Sequence, residues 1–235
     1  MSDIIDDGFA ENKGISLLQI EPRKKFLVIS IILVLLLRVC LAWAEHIQFG
    51  NYENYFAGDI DAAEKSENMG SIILNLAVMY LFAFILAIVA VCVWVYRANQ
   101  NLHRANLDNI QHTSGWSVGW FFIPFANLVK PANVMSEIVK GTNKISGKFS
   151  AAVWQSQKTN SFVTLWWLCY IFSGFLSNIS NRMFDGVNLE SNDYSVISGL
   201  EFASIFLAII SGIMLIKIVL GVTTEHEKNK LLEID

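Results

Sequence analysis

Residues 72–96 read IILNLAVMYLFAFILAIVAVCVWVY, and no charged side chain interrupts them. A bilayer core is about 30 Å thick and a helix rises about 1.5 Å per residue, so about 20 apolar residues cross it. This run is long enough to span and to tilt or reach into the headgroups besides. Three further windows of the same kind flank it. Phe26–Ala44 is broken only by Arg38, Ser161–Ile179 carries no charge, and Val196–Val222 holds Glu201 and Lys217. The four windows predict an all-α, polytopic membrane protein with transmembrane helices at about 26–44, 72–96, 161–179 and 196–222. The remainder divides into an N-terminal segment 1–25, a central loop 97–160 and a tail 223–235.

Composition agrees. Of 235 residues, 54% are apolar and 16% charged, and the mean hydropathy is +0.44. These values exclude a disordered chain, a collagen-like chain and a disulfide scaffold. The net charge of −4 argues against a nucleic-acid partner. Cys40, Cys92 and Cys169 all lie in apolar windows and read as small buried hydrophobes.

Basic residues orient the chain, because cytoplasmic loops retain them. The N-terminal segment has four (Lys13, Arg23, Lys24, Lys25) and the central loop has seven (Arg97, Arg104, Lys130, Lys140, Lys144, Lys148, Lys158). Lys65 and Arg182 stand alone in the other two loops, which carry Glu45, Glu53, Asp59, Asp61, Glu64, Glu67, Asp185, Glu190 and Asp193. Lys228 and Lys230 follow the last window. The expectation is a multi-pass protein of the cell membrane with both termini and the central loop cytoplasmic. Ala42-Trp43-Ala44 has the small-x-small form of a signal-peptidase site. The long, initially acidic leader and Arg38 favour an uncleaved anchor instead.

The central loop is long enough to need structure of its own. Arg97–Asp108 continues the second helix in a polar register and reads as a solvated extension, with Asn99, His103 and Asn106 on one face and Arg97, Asn101, Arg104 and Asp108 on another. The segment Ser114–Ser136 follows, SGWSVGWFFIPFANLVKPANVMS, apolar and aromatic but too short to span. It reads as a cytoplasmic interfacial or re-entrant helical segment. Trp116 and Trp120 share a helical face, Pro124 should kink or end that turn, and Pro131 opens an amphipathic helix to Lys140. Trp116, Trp120, Pro124, Asn127 and Pro131 are the candidate motif. In the simplest reading it is a lipid-facing anchor; in the sharper one Asn127 and the backbone near Pro124 line a cavity entrance.

The combined spacing of Tyr96-Arg97-Ala98, Asn101-Leu102, Gly115-Trp116-Ser117-Val118-Gly119-Trp120, Phe122-Ile123-Pro124, Ala126-Asn127-Leu128 and Lys130-Pro131 resembles a bacterial membrane family catalogued as domain of unknown function 4328 (DUF4328). The resemblance runs from about Arg38 through the fourth window, with the first 25 residues outside it. It implies a four-helix integral protein of the bacterial inner membrane and supplies no activity.

Gly115–Gly119 also matches the G-x-S-x-G nucleophile elbow, but no strand precedes it and no α/β-hydrolase sheet fits outside the membrane. The same residues form a weak G-x-x-x-G. His46, His103, His112 and His226 show no metal-ligand spacing. No catalytic, metal or cofactor set is therefore expected.

A charge in lipid is expensive and is usually paired. Arg38 and Glu201 lie about six and five residues from the outer ends of their windows, roughly 8 to 9 Å deep. They are expected to pair across a contact between the first and fourth helices, with Asn75 able to join by a hydrogen bond. Lys217 should snorkel to the inner headgroups. Gly199 with Ala203, Ser204 with Ala208, and Ser173-Gly174 mark faces expected to meet other helices.

The favoured function is a non-enzymatic membrane scaffold or interaction protein whose central loop contacts a protein partner or lipid headgroups within the bilayer. The alternative is a small transporter or channel component with Arg38, Glu201 and Asn127 along its path. The sequence sets no oligomeric state.

Overall fold

A computed structural model describes residues 17–148, 154–184 and 191–231. Most of the N-terminal segment, the acidic Asp185 and Glu190, and the last four residues lie outside the described residues. Among the described residues the fold consists of six α-helices, α1 (Glu21–Phe56), α2 (Asp61–Arg104), α3 (Ser114–Gly119), α4 (Lys130–Ile145), α5 (Ser161–Phe184) and α6 (Ser191–Leu231), with a 3₁₀ turn at Ala126–Leu128. No strand occurs among the described residues. Four helices among the described residues, α1, α2, α5 and α6, are long and apolar enough to cross a membrane. Their outward faces are apolar, with Ile29, Leu74, Phe82, Phe175 and Phe206 each more than 60% exposed. Such surfaces suit lipid rather than water.

The helices overrun the apolar windows. At 44 residues α2 is about 66 Å long, roughly twice a bilayer core. The acidic stretch after Ala44 is not a long loop: α1 continues to Phe56, residues 57–60 turn, and α2 resumes at Asp61. Gly58 closes that turn at φ +104°, where a Cβ would be strained. Hydropathy marks where lipid ends, whereas Glu, Lys and Gln remain good helix formers beyond it.

α2 packs on α1, α1 on α6, and α6 on α5. The α5–α6 pair carries a ladder of hydroxyl bonds. Ser180 Oγ donates to the Ile197 carbonyl at 3.2 Å, Ser204 Oγ to that of Ser173 at 3.0 Å, and Ser211 Oγ to that of Trp166 at 3.0 Å. Successive rungs are seven residues apart on both helices, the repeat that keeps one seam facing its partner. Between α1 and α6 the close approach is at Gly212, where an added Cβ would sit 2.8 Å from Leu35 Cδ1. Gly199 and Ala203, expected at a helix contact, are exposed instead. Cys40 is likewise exposed and Cys92 half-buried, so only Cys169 is a buried hydrophobe. Asn75 bonds its own helix, Nδ2 donating to the Ser71 carbonyl at 3.0 Å.

α4 packs against α2, α5 and α6 at the end where α1 begins, α2 stops and α6 stops. The described starts and ends of the chain therefore meet the central loop at one end of the bundle. This closes a core around Trp94, Val95, Ala98, Leu102, Met135, Ile138 and Val219, each fully buried. The solvated extension anticipated for α2 is overturned by this packing: Asn99 and Asn101 are both fully buried.

Candidate functional site

The subdomain around α4 is held by polar side chains drawn from distant parts of the chain. Asn101, on α2, accepts the Leu18 N–H at Oδ1 (2.8 Å) and donates from Nδ2 to the Leu18 carbonyl (3.0 Å). The same Nδ2 meets His226 Nδ1 at 3.1 Å, and His226 Nε2 meets Thr142 Oγ1 at 3.0 Å. The backbone N–H fixes which end of the amide is oxygen, so His226 must accept at Nδ1 and donate from Nε2. One neutral imidazole thus ties the chain before α1 to α2, α4 and α6. His226 lies beyond the apolar window ending at Val222, and its burial lowers its pKa from 6.5 to about 4. Beside it, a hydrogen bond from Lys148, 3.0 Å away, holds the Glu225 carboxyl below its usual range.

A second anchor fixes the connection from α2 to α3. Glu137, on α4, accepts the N–H groups of Gln111 (2.5 Å) and His112 (3.3 Å), and its Oε2 meets His112 Nδ1 at 2.8 Å. Asn106 and Asn109 turn this connection with φ +49° and +61°, a region asparagine tolerates. Thr113 then caps α3, accepting from the Trp116 N–H at 3.4 Å.

The Trp/Pro segment is carried on this base. Trp116 and Trp120 rings lie 4.9 Å apart, and the Lys130 ammonium sits 5.1 Å from the Trp120 ring. α3 ends at Gly119, and Pro124 lies in the turn that follows. Pro131 lies in the first turn of α4, which runs five residues past the expected end. Asn127 is half-buried in the 3₁₀ turn. Trp167 of α5 docks the segment, its Nε1 donating to the Leu128 carbonyl at 2.8 Å and its ring meeting Phe121 edge to face. Facing away from the protein are Trp116, Phe122, Phe125, Leu128 and Val129, between 53% and 86% exposed. Ser117, the middle of the G-x-S-x-G match, is fully buried and its hydroxyl donates to the Ser114 carbonyl at 2.7 Å.

Arg38 occupies a separate position within the bundle. Its guanidinium contacts the Glu201 carboxylate of α6, donates to Ser177 Oγ of α5 at 3.1 Å, and lies 5.8 Å from the Tyr80 ring of α2. One side chain of α1 thus touches each of the other three spanning helices. The void beside Glu201 measures about 10 Å³, room for about one water. A larger cleft of about 360 Å³ opens at the end of the bundle away from α4, between Tyr52, Tyr55, Ser66 and Glu67. It contains none of the candidate residues.

Neither the Asn101–His226–Thr142 link nor the Glu137 anchor was readable from sequence, because the partners lie 25 to 125 residues apart with no local pattern. The local pattern pointed the other way, since Asn101 shares a helical face with Arg97, Arg104 and Asp108.

Fold and site define an all-helical membrane-type protein with four span-capable helices and a packed subdomain at one end. The chain belongs to the DUF4328 family, described as a domain of unknown function, whose sequence model matches residues 57–224. That match begins after α1, so Arg38 lies outside it, which moves the start of the resemblance from about Arg38 to residue 57. No curated protein and no solved structure matches the chain.

Proposed function

We propose that this protein is a non-enzymatic interaction protein of the bacterial inner membrane, working through the Trp/Pro segment on its cytoplasmic side. The observation that carries the reading is the exposed apolar surface of Trp116, Phe122, Phe125, Leu128 and Val129 on a base fixed by Glu137 and Trp167. Exposed apolar surface on a rigid support is the usual form of a contact site. The excess of basic residues in the segments gathered at that end supports its cytoplasmic placement, with both termini on the same side. Ser117 spends its hydroxyl within the protein, which argues against a nucleophile there.

Arg38 and Glu201 suit a cross-brace better than a path, since the pair is in contact and the adjoining void holds about one water. A benzophenone side chain replacing Phe122 in membranes is expected to give a discrete adduct with a protein or a lipid. Absence of any adduct, together with solute flux in vesicles that Glu201→Gln abolishes, would replace this reading with transport.

A further inference from the structure

We infer that the turn Ile123–Val129 is a wedge inserted among the acyl chains of one leaflet, with Phe125 at its point and lipid as its partner. The inference rests on the reading of this segment as the contact surface and names what it contacts. Phe125 is 86% exposed, more than any other large apolar side chain among the described residues. Its backbone is at φ +64°, ψ −45°, and the Ala126 N–H bonds the Pro124 carbonyl at 2.8 Å. This is a γ-turn of the rare, strained kind, centred on a bulky ring. Packing within the protein does not account for strain that aims a phenyl group outward; contact beyond the chain does.

The level of the turn identifies that contact. Lys217 stands in the apolar window of α6, and its ammonium lies 5.4 Å from the Phe162 ring. A lysine so placed carries its charge to the headgroups, which sets their level near Phe162. The Leu128 carbonyl is bonded by the indole of Trp167, five residues further into α5. Because helical side chains lean toward the N-terminus, Leu128 lies between the levels of Phe162 and Trp167, an interval of about 7 Å on the lipid side. At this level Phe162 and Leu165 of α5 are exposed, as are Phe122, Leu128 and Val129 of the segment.

Two further features fit insertion. Irregular backbone in lipid must satisfy its own polar groups. Of the eight amides in residues 121–129, those of Phe121, Phe122, Ala126, Asn127, Leu128 and Val129 donate within the segment, those of Ile123 and Phe125 do not, and Pro124 has none. Residues 121–129 carry no charge, while the Lys130 ammonium at their base lies over the Trp120 ring, 5.1 Å from its centre.

The test uses the full chain with Cys40, Cys92 and Cys169 replaced by Ala and a nitroxide on Phe125→Cys, in phosphatidylethanolamine–phosphatidylglycerol vesicles. Oxygen concentrates in hydrocarbon and a nickel chelate stays in water, so the ratio of their collision rates reports depth. The ratio is expected to match a label at Leu165→Cys and to exceed one at Asp108→Cys by at least about fivefold. A nickel-dominated signal at 125 places it in water and overturns the wedge. Shielding from both reagents overturns it too, but leaves the segment as a protein-contact surface. Phe122→Cys, on the same patch, gives the same reading should Phe125→Cys fail to fold.

Discussion

Arg38 shows what a single side chain does in this bundle. Removing one partner of a buried pair strands the other charge, at a cost of about 3–5 kcal/mol, whereas replacing both with apolar groups is close to neutral. Arg38→Met is therefore expected to lower the thermal midpoint in detergent sharply, and Arg38→Met/Glu201→Leu to recover most of the loss. Similar midpoints for the single and double variants would contradict the cross-brace. At Phe125 the strain is local and the ring packs on little, so Phe125→Gly is expected to stabilise the detergent-solubilised protein by about 1 kcal/mol. His226 brings pH dependence. Burial lowers its folded-state pKa from 6.5 to about 4, so the unfolded chain takes up the proton first and stability falls as pH drops through that window. Above pH 6.5 the group contributes no slope. His226→Gln should remove up to about 1.4 kcal/mol per pH unit between the two values, read from thermal midpoints against pH. Charges in lipid can be read from sequence because their cost is large and depth follows from counting: Arg38 and Glu201 fall at one level, and their groups are in contact. Asn101 and His226 could not be paired that way, since outside lipid a polar side chain carries no such penalty until burial is known.

Among the elements, the α5–α6 seam and the Glu137 anchor make separate demands. Hydroxyl bonds between membrane helices contribute about 0.6 kcal/mol each, so Ser204→Ala with Ser211→Ala should cost roughly 1 kcal/mol without changing the fold. Glu137→Ala strands two backbone amides, and hydrogen exchange at Gln111 and His112 is expected to speed up while the amides of α4 stay protected. Unchanged exchange at those two positions would show that the connection is held by other contacts. The four windows were legible because lipid imposes a length and an absence of charge that few soluble segments meet. Helix ends were not, because α1 and α2 continue through acidic residues for up to twelve positions past the apolar limit. The burial of the α2 extension was hidden for a different reason: α4, which covers it, is itself short, polar and amphipathic.

For the whole molecule, both described ends and the central loop gather at one end of a four-helix bundle, and the basic residues of those segments support a cytoplasmic placement of that end. The DUF4328 match over residues 57–224 covers the central loop and three of the four spans, so the Trp/Pro segment lies inside it and α1 with Arg38 outside it. The most direct test is sidedness. Single cysteines at Glu64→Cys, in the α1–α2 hairpin end, and at Asp108→Cys, beside α4, are exposed to an impermeant maleimide in intact bacterial spheroplasts lacking the native cysteines. Labelling of Glu64→Cys in intact cells, with Asp108→Cys labelled only after permeabilisation, is the outcome expected. The reverse pattern would put the Trp/Pro segment on the outer face and contradict the proposal at its root.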